Sequence, residues 1–172
     1  MNTTTEKLLT IAIPAYNASW FLPKCLQSLV DSKQMESMEV LVVDDGSQND
    51  PTAVVEPFID QFPGSIRLIH KENGGHGSVI NFAAKVAVGK YMKILDADDW
   101  VIADNMTELL QYLAHTISDV VITNFDMVDA EGRFRQPFEI EGVEFKRDYT
   151  MDELAALPEC VYACSTFHGI FY

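Results

Sequence analysis

The chain has 172 residues, 48% of them hydrophobic, and its 12 basic and 26 acidic side chains give a formal net charge of −14. That size allows one buried core, and a single domain over 1–172 fits it better than two. A surface this acidic argues against nucleic acid and anionic membranes as partners, because it repels a phosphate backbone rather than releasing its counterions.

The opening stretch, Met1 to Lys7, is polar and lacks the apolar centre of a signal peptide. No apolar run approaches the roughly 20 residues of a spanning helix, so no transmembrane segment is expected in this chain. Cys25, Cys160 and Cys164 are an odd set in apolar surroundings, which suits packed thiols in a reducing compartment better than a disulfide framework. No second Cys/His pair stands at zinc spacing from Cys160 and Cys164. The expected location is cytoplasmic, at the inner face of the membrane at most in a full-length protein.

Leu8 to Pro14 reads as a first buried strand, and Leu22, Cys25, Leu26, Leu29 and Val30 then fall at helical spacing. Met38 to Asp44 is a second strand. Asn49-Asp50-Pro51 supplies a cap and a helix-starting proline ahead of the stripe Val54, Val55, Phe58, Ile59 and Phe62. Ile66 to His70 reads as a third strand, Ser78 to Val88 as a helix and Tyr91 to Leu95 as a fourth strand. Asp104 is placed to cap a helix carrying Leu109, Leu110 and Leu113, and Val120 to Phe125 makes a fifth strand. Such alternation of apolar strands with amphipathic helices predicts an α/β fold with a parallel sheet covered on both faces, its ligands at the carboxyl ends of the strands.

From Ala130 to Tyr149 the pattern turns irregular or hairpin-like, with Phe134, Phe138, Ile140, Val143 and Phe145 among charges. Thr150 to Glu153 reads as a capping box opening a short helix. Ser165 to Tyr172 reads as a strand that stops with the chain, which suggests a fragment of a longer protein.

The chemistry concentrates where apolar strands meet carboxylates. Lys93-Ile94-Leu95 runs into Asp96, Asp98 and Asp99, and charges this close call for a hard divalent cation such as Mg²⁺ or Mn²⁺. Glu39 to Val43 leads likewise into Asp44-Asp45-Gly46-Ser47, although that string alone is also a common strand-to-loop turn. Lys71 to Ser78 is a glycine-rich turn at a helix start, where backbone N–H groups could face phosphate. His76 reads equally as a plain loop histidine, and His70 and His115 close a strand and a helix with no chemistry assigned. Trp20 reads as core, Trp100 as flanking the acidic loop, and His168 as a half-buried structural residue or an acceptor contact.

Taken in order, Pro14-Ala15-Tyr16-Asn17, Asp44-Asp45-Gly46-Ser47, Asn73-Gly74-Gly75 with Asn81 and Gly89, and Leu95 to Asp99 resemble the inverting glycosyltransferase family two. The likeness is good over about 8–125 and implies the GT-A (Rossmann-like) fold, a three-layer α/β/α domain with a mostly parallel central sheet. It implies a nucleotide-sugar donor, a UDP-sugar first among them, a saccharide or lipid-linked acceptor, Mn²⁺ or Mg²⁺ as cofactor, and a role in cell-surface polysaccharide synthesis. By resemblance Pro14 and Tyr16 flank the base, Asp45 accepts a hydrogen bond from it, and Asp44 braces the loop. Asn17, Asn73 and Asn81 join the nucleotide-sugar contacts. Asp96 lies near the ribose and Asp98 binds the cation bridging the diphosphate, while Asp99 either joins through water or caps the next loop. The chain departs from the family where Ile80 replaces an arginine before Asn81, leaving Lys71 or His76 as the alternative cations for a diphosphate.

The family's general base is an aspartate in a Glu-Asp pair beyond a segment like Phe167 to Tyr172. No such pair follows Asp98, and Asp129, Asp148 and Asp152 stand in unsuited contexts, so the base is expected past Tyr172 and the chain is expected to bind without efficient transfer. The alternatives are an Mg²⁺-binding phosphoacceptor signalling domain, whose acidic pair would end the first strand and whose fifth strand would close on lysine, or a catalytically inactive nucleotide-binding module.

Overall fold

The structure, a computed structural model, describes residues 6–139, 141–157 and 169–171. In chain order they form β1 (Leu9–Ala15), α1 (Leu22–Asp31), β2 (Met38–Asp44), α2 (Thr52–Gln61), β3 (Ile66–His70), α3 (His76–Val86), β4 (Tyr91–Ile94) and α4 (Ala103–His115). There follow β5 (Val120–Ile122), β6 (Phe125–Val128), β7 (Phe134–Phe138), α5 (Met151–Ala155) and β8 (Gly169–Phe171). Expectations on Met1 to Thr5, Ile140, Cys160, Cys164, Ser165 to His168 and Tyr172 lie outside the described residues.

Six strands make one sheet in the order β3-β2-β1-β4-β8-β5. The first four are parallel, with Leu9 opposite Met38 and Tyr91, and Val40 opposite Ile66. β1 and β2 are buried along almost their whole length, as strands covered on both faces must be. Leu9, Ile11, Ile13 and Ala15 face the side held by Leu22, Cys25, Leu26 and Leu29 of α1, Val55 of α2 and Met106, Leu110 and Leu113 of α4. Ala12, Leu41, Val43 and Ile94 face the other side, against Val79 and Ala83 of α3. Position 89 has no room for a side chain: a Cβ on Gly89 would stand 2.4 Å from the backbone nitrogen of Thr10.

Four details differ from the sequence-based expectation. The expected fifth parallel strand is cut to Val120–Ile122, and antiparallel β8 stands between it and β4. The remaining residues pass into the β6–β7 hairpin, where the Phe125 and Phe138 rings stack at 4.6 Å. α3 starts two residues early, because Gly75 at φ +80° turns the chain into the helix ahead of His76. Asp104 is not the cap of α4; the N-cap is Ile102, and Asp104 instead lies in the first turn, where a carboxylate favours the helix dipole. The capping box of Thr150 and Glu153 forms as expected.

Candidate functional site

At the carboxyl ends of β1, β2, β3 and β4 the chain leaves the sheet in loops that enclose a cleft of about 480 Å³. Its walls include Pro14, Tyr16, Asn17, Asp45, Asn73, Asp96 and Asp98, seven of the eight binding residues expected from sequence. Asn81 does not line it. On α3 the residues that do are His76 and Val79, and at about 100° per residue Asn81 points to the opposite side of the helix, where it is exposed. Ala18, Phe21 and His76 also line the cleft, and Phe21 was not foreseen because it looks like the first apolar residue of α1.

Three loops are tied together below the cleft. Asn17, at φ +53°, donates its N–H to Ser47 Oγ at 2.9 Å, and its side-chain oxygen accepts the Gln48 N–H at 2.8 Å. Asp44 is buried and braces its own loop by accepting the Ser47 N–H at 3.1 Å, with His70 Nδ1 2.9 Å from its other oxygen. Asp45 is also buried, and it grips the glycine-rich loop. Its Oδ1 accepts from Lys71 Nζ at 2.5 Å and Gly74 N–H at 3.0 Å, and its Oδ2 from Gly75 N–H at 2.8 Å. Burial alone would raise the Asp45 carboxyl, but these donors hold it below the usual carboxylate range.

Lys71 spends its ammonium inside the protein, donating also to the Glu72 carbonyl at 2.6 Å and Ser78 Oγ at 2.9 Å. An ammonium has three hydrogens, and all are committed. Of the two alternative cations, His76 is the one at the cleft, with Nε2 3.4 Å from Asp96 Oδ1.

The acidic loop after β4 is tightened by the Asp99 N–H donating to the Asp96 carbonyl at 3.0 Å. Burial first, then the charges of Asp98 and Asp96, push the Asp99 carboxyl up. From below, Lys93 has its ammonium lowered to about 8 by burial, against the raising influence of Asp99 and Asp96. The buried Cys25 thiol is raised to about 12, by burial and then by the charges of Asp99, Asp98 and Asp96. Lys93 was overlooked in sequence, although a charge inside the strand Tyr91-Met92-Lys93-Ile94 is the signal for it. Among the described residues no three His, Cys, Asp or Glu side chains converge as a closed metal cage. Asp96 and Asp98 on one wall still suit Mg²⁺ or Mn²⁺, which complete their shells with water and substrate phosphate oxygens.

Trp20 is not core: it is 88% exposed, because it stands in the turn before α1 rather than on its buried stripe. Trp100 lies outside the cleft, with Lys24 Nζ 3.0 Å above its ring. None of Asp129, Asp148 and Asp152 lines the cleft either. Asp129 is held by Arg133 at 2.9 Å and Arg135 at 2.7 Å, and Asp148 by Ser118 Oγ at 2.7 Å.

A mostly parallel sheet with a nucleotide-sized cleft and an acidic strand end at its rim defines the GT-A class of α/β domain. Solved structures share that fold: S. aureus TarS 1-349 in complex with UDP superposes with a TM-score of 0.74 at 24% identity, over 95% of this chain and 46% of that one. A mannosyltransferase from Pyrobaculum calidifontis in complex with GDP-Man and Mn²⁺ gives 0.58 at 24% identity, over 68% of this chain and 35% of that one. The chain belongs to glycosyl transferase family 2, whose model matches residues 10–172. Among relatives, a Mycoplasma pneumoniae uncharacterized glycosyltransferase is 34% identical, over 69% of this chain and 39% of its own length. Glycosyltransferase GlyG of Streptococcus pneumoniae is 32% identical, over 87% of this chain and 48% of its own length. The chain thus spans less than half of either relative. Family membership sets aside the phosphoacceptor alternative, as does the antiparallel strand inside the sheet. No helix among the described residues is long and apolar enough to cross a membrane.

Proposed function

We propose that this chain binds a UDP-sugar and serves its metal-dependent transfer, with inversion, to a hydroxyl of a saccharide or lipid-linked acceptor. The observation that carries this reading is the meeting of Pro14, Tyr16, Asn17, Asp45, Asn73, Asp96 and Asp98, from four strand ends far apart in sequence, around one cleft.

Each residue has a task that its surroundings allow. Tyr16, 53% exposed on the cleft wall, offers a ring face to the base. A carboxylate has about four acceptor positions, and Asp45 uses three on protein donors, so one remains for an N–H of uracil. Asn17 and Asn73 offer amides to the nucleotide sugar, and Asp96 accepts from the ribose. Asp98, with Asp96, would hold Mn²⁺ or Mg²⁺, which when bound offsets charge on the diphosphate leaving group. His76, beside Asp96, meets the same diphosphate in place of the family arginine.

Transfer also needs a group to take the acceptor proton. Asp129 and Asp148 are held elsewhere and Asp152 does not line the cleft, and we assign the base to the part of the longer relatives that this chain does not match. A thermal-shift panel of UDP, GDP, CDP and UDP-sugars, with and without Mn²⁺, tests the reading. A ligand at a hundred times its Kd stabilises the folded state by about 2.7 kcal/mol. A uridine-selective, Mn²⁺-dependent rise in Tm is expected, and no response to any nucleotide would sink the proposal.

A further inference from the structure

His70, at the end of β3, stands outside the cleft yet is joined to it by an unbroken run of hydrogen bonds. Its Nδ1 is 2.9 Å from Asp44 Oδ2, Asp44 Oδ1 accepts the Ser47 N–H at 3.1 Å, and Ser47 Oγ accepts the Asn17 N–H at 2.9 Å. Asn17 and its neighbour Tyr16 are cleft wall. The left-handed backbone of Asn17, at φ +53°, is a conformation that surrounding bonds must hold.

The other side of the ring is tied as well. His70 Nε2 lies 3.3 Å from Thr52 Oγ1, and that hydroxyl is 2.5 Å from Asp50 Oδ1. A carboxylate can only accept, so Nδ1 donates to Asp44 and the ring is held between β2 and the start of α2. The charged groups facing it are Asp44 from β2 and Asp50 from the turn ahead of α2, while the adjacent Lys71 is turned to Asp45.

We propose that His70 is a positioning residue of the donor cleft, fixing the Tyr16–Asn17 loop through Asp44 and Ser47. This rests on the nucleotide reading above and adds to it a residue that never touches the ligand.

The test is calorimetric titration of UDP into the purified chain with Mn²⁺. H70F keeps a ring without a donor and is expected to bind UDP roughly fivefold to tenfold more weakly than wild type. H70N, whose amide N–H can stand where Nδ1 stood, is expected to recover most of that affinity, a rescue that a merely space-filling ring would not show. H70F binding as tightly as wild type, or H70N binding as weakly as H70F, overturns the proposal, and H70A takes the place of H70F should that variant not fold. Wild type that binds no UDP removes the nucleotide reading and this one with it; wild type that binds while the variants match it removes this one only.

Discussion

At the end of β2, Asp44 and Asp45 are buried and all four of their carboxylate oxygens face protein donors: Ser47, His70, Lys71, Gly74 and Gly75. At the end of β4, Asp96 meets His76 at 3.4 Å, Asp98 is exposed, and burial, then the loop's charges, push Asp99 up rather than down. One acidic loop is neutralised from within and acts as scaffold. Its neighbour is less committed to protein donors, and the proposed cation is assigned to that loop.

The sharpest way to break the comparison is D98A. It is expected to weaken Mn²⁺-dependent UDP binding by at least about a hundredfold, since even partners behind a metal ligand cost up to that much. Its melting curve without ligand should stay within about 0.5 kcal/mol of wild type, and a larger loss would make Asp98 scaffold as well. D45A should cost folding stability as well as the uracil contact, by leaving the Lys71 ammonium without its carboxylate. A loss of about 2 kcal/mol in denaturant unfolding is expected, less than for a fully buried pair because Lys71 keeps some exposure.

Acid separates the two loops by sign. The depressed Asp45 carboxyl contributes stability that is complete above the ordinary carboxylate value of about 3.9 and is lost as pH falls through its own lower value. Asp99 is raised, so the folded state binds its proton more tightly and its contribution worsens as pH rises through that range. Tm measured from about pH 3 to about pH 6 should therefore fall less steeply on acidification in D45N than in wild type, and more steeply in D99N. Equal slopes in all three would mean that neither carboxylate is coupled to folding. The smallest effect is at neutral pH without metal, where D99N should gain about 0.5 kcal/mol by relieving repulsion from Asp98 and Asp96.

The parallel half of the sheet was readable because β2 and β3 are apolar runs closed by Asp-Asp-Gly or His-Lys, and their observed limits coincide with the expected ones. The cleft was readable for the same reason, since parallel strands bring their carboxyl ends to one edge. What escaped notice depends on partners distant in the chain. Nothing near His70 tells that Asp44 lies beside it, and nothing near Lys71 tells that Asp45 and Ser78 take up its charge. Asn81 was misplaced because motif spacing says nothing of helix phase until the start of α3 is known, and Gly75 shifted that start. Trp20 was given to the core on hydrophobicity alone, a poor guide in a turn.

β8 carries one further consequence. Gly169 to Phe171 slot between β4 and β5, so β5 gains its neighbour only when the last of the described segments arrives. On a ribosome, β1 to β4 could pair as they emerge, while β5 and the open flank of β4 would wait, an exposed strand edge that invites mispairing. Such a long-range closure is slow by nature, and a late refolding phase reporting on Ile170, buried at 0% exposure, is where it would be seen.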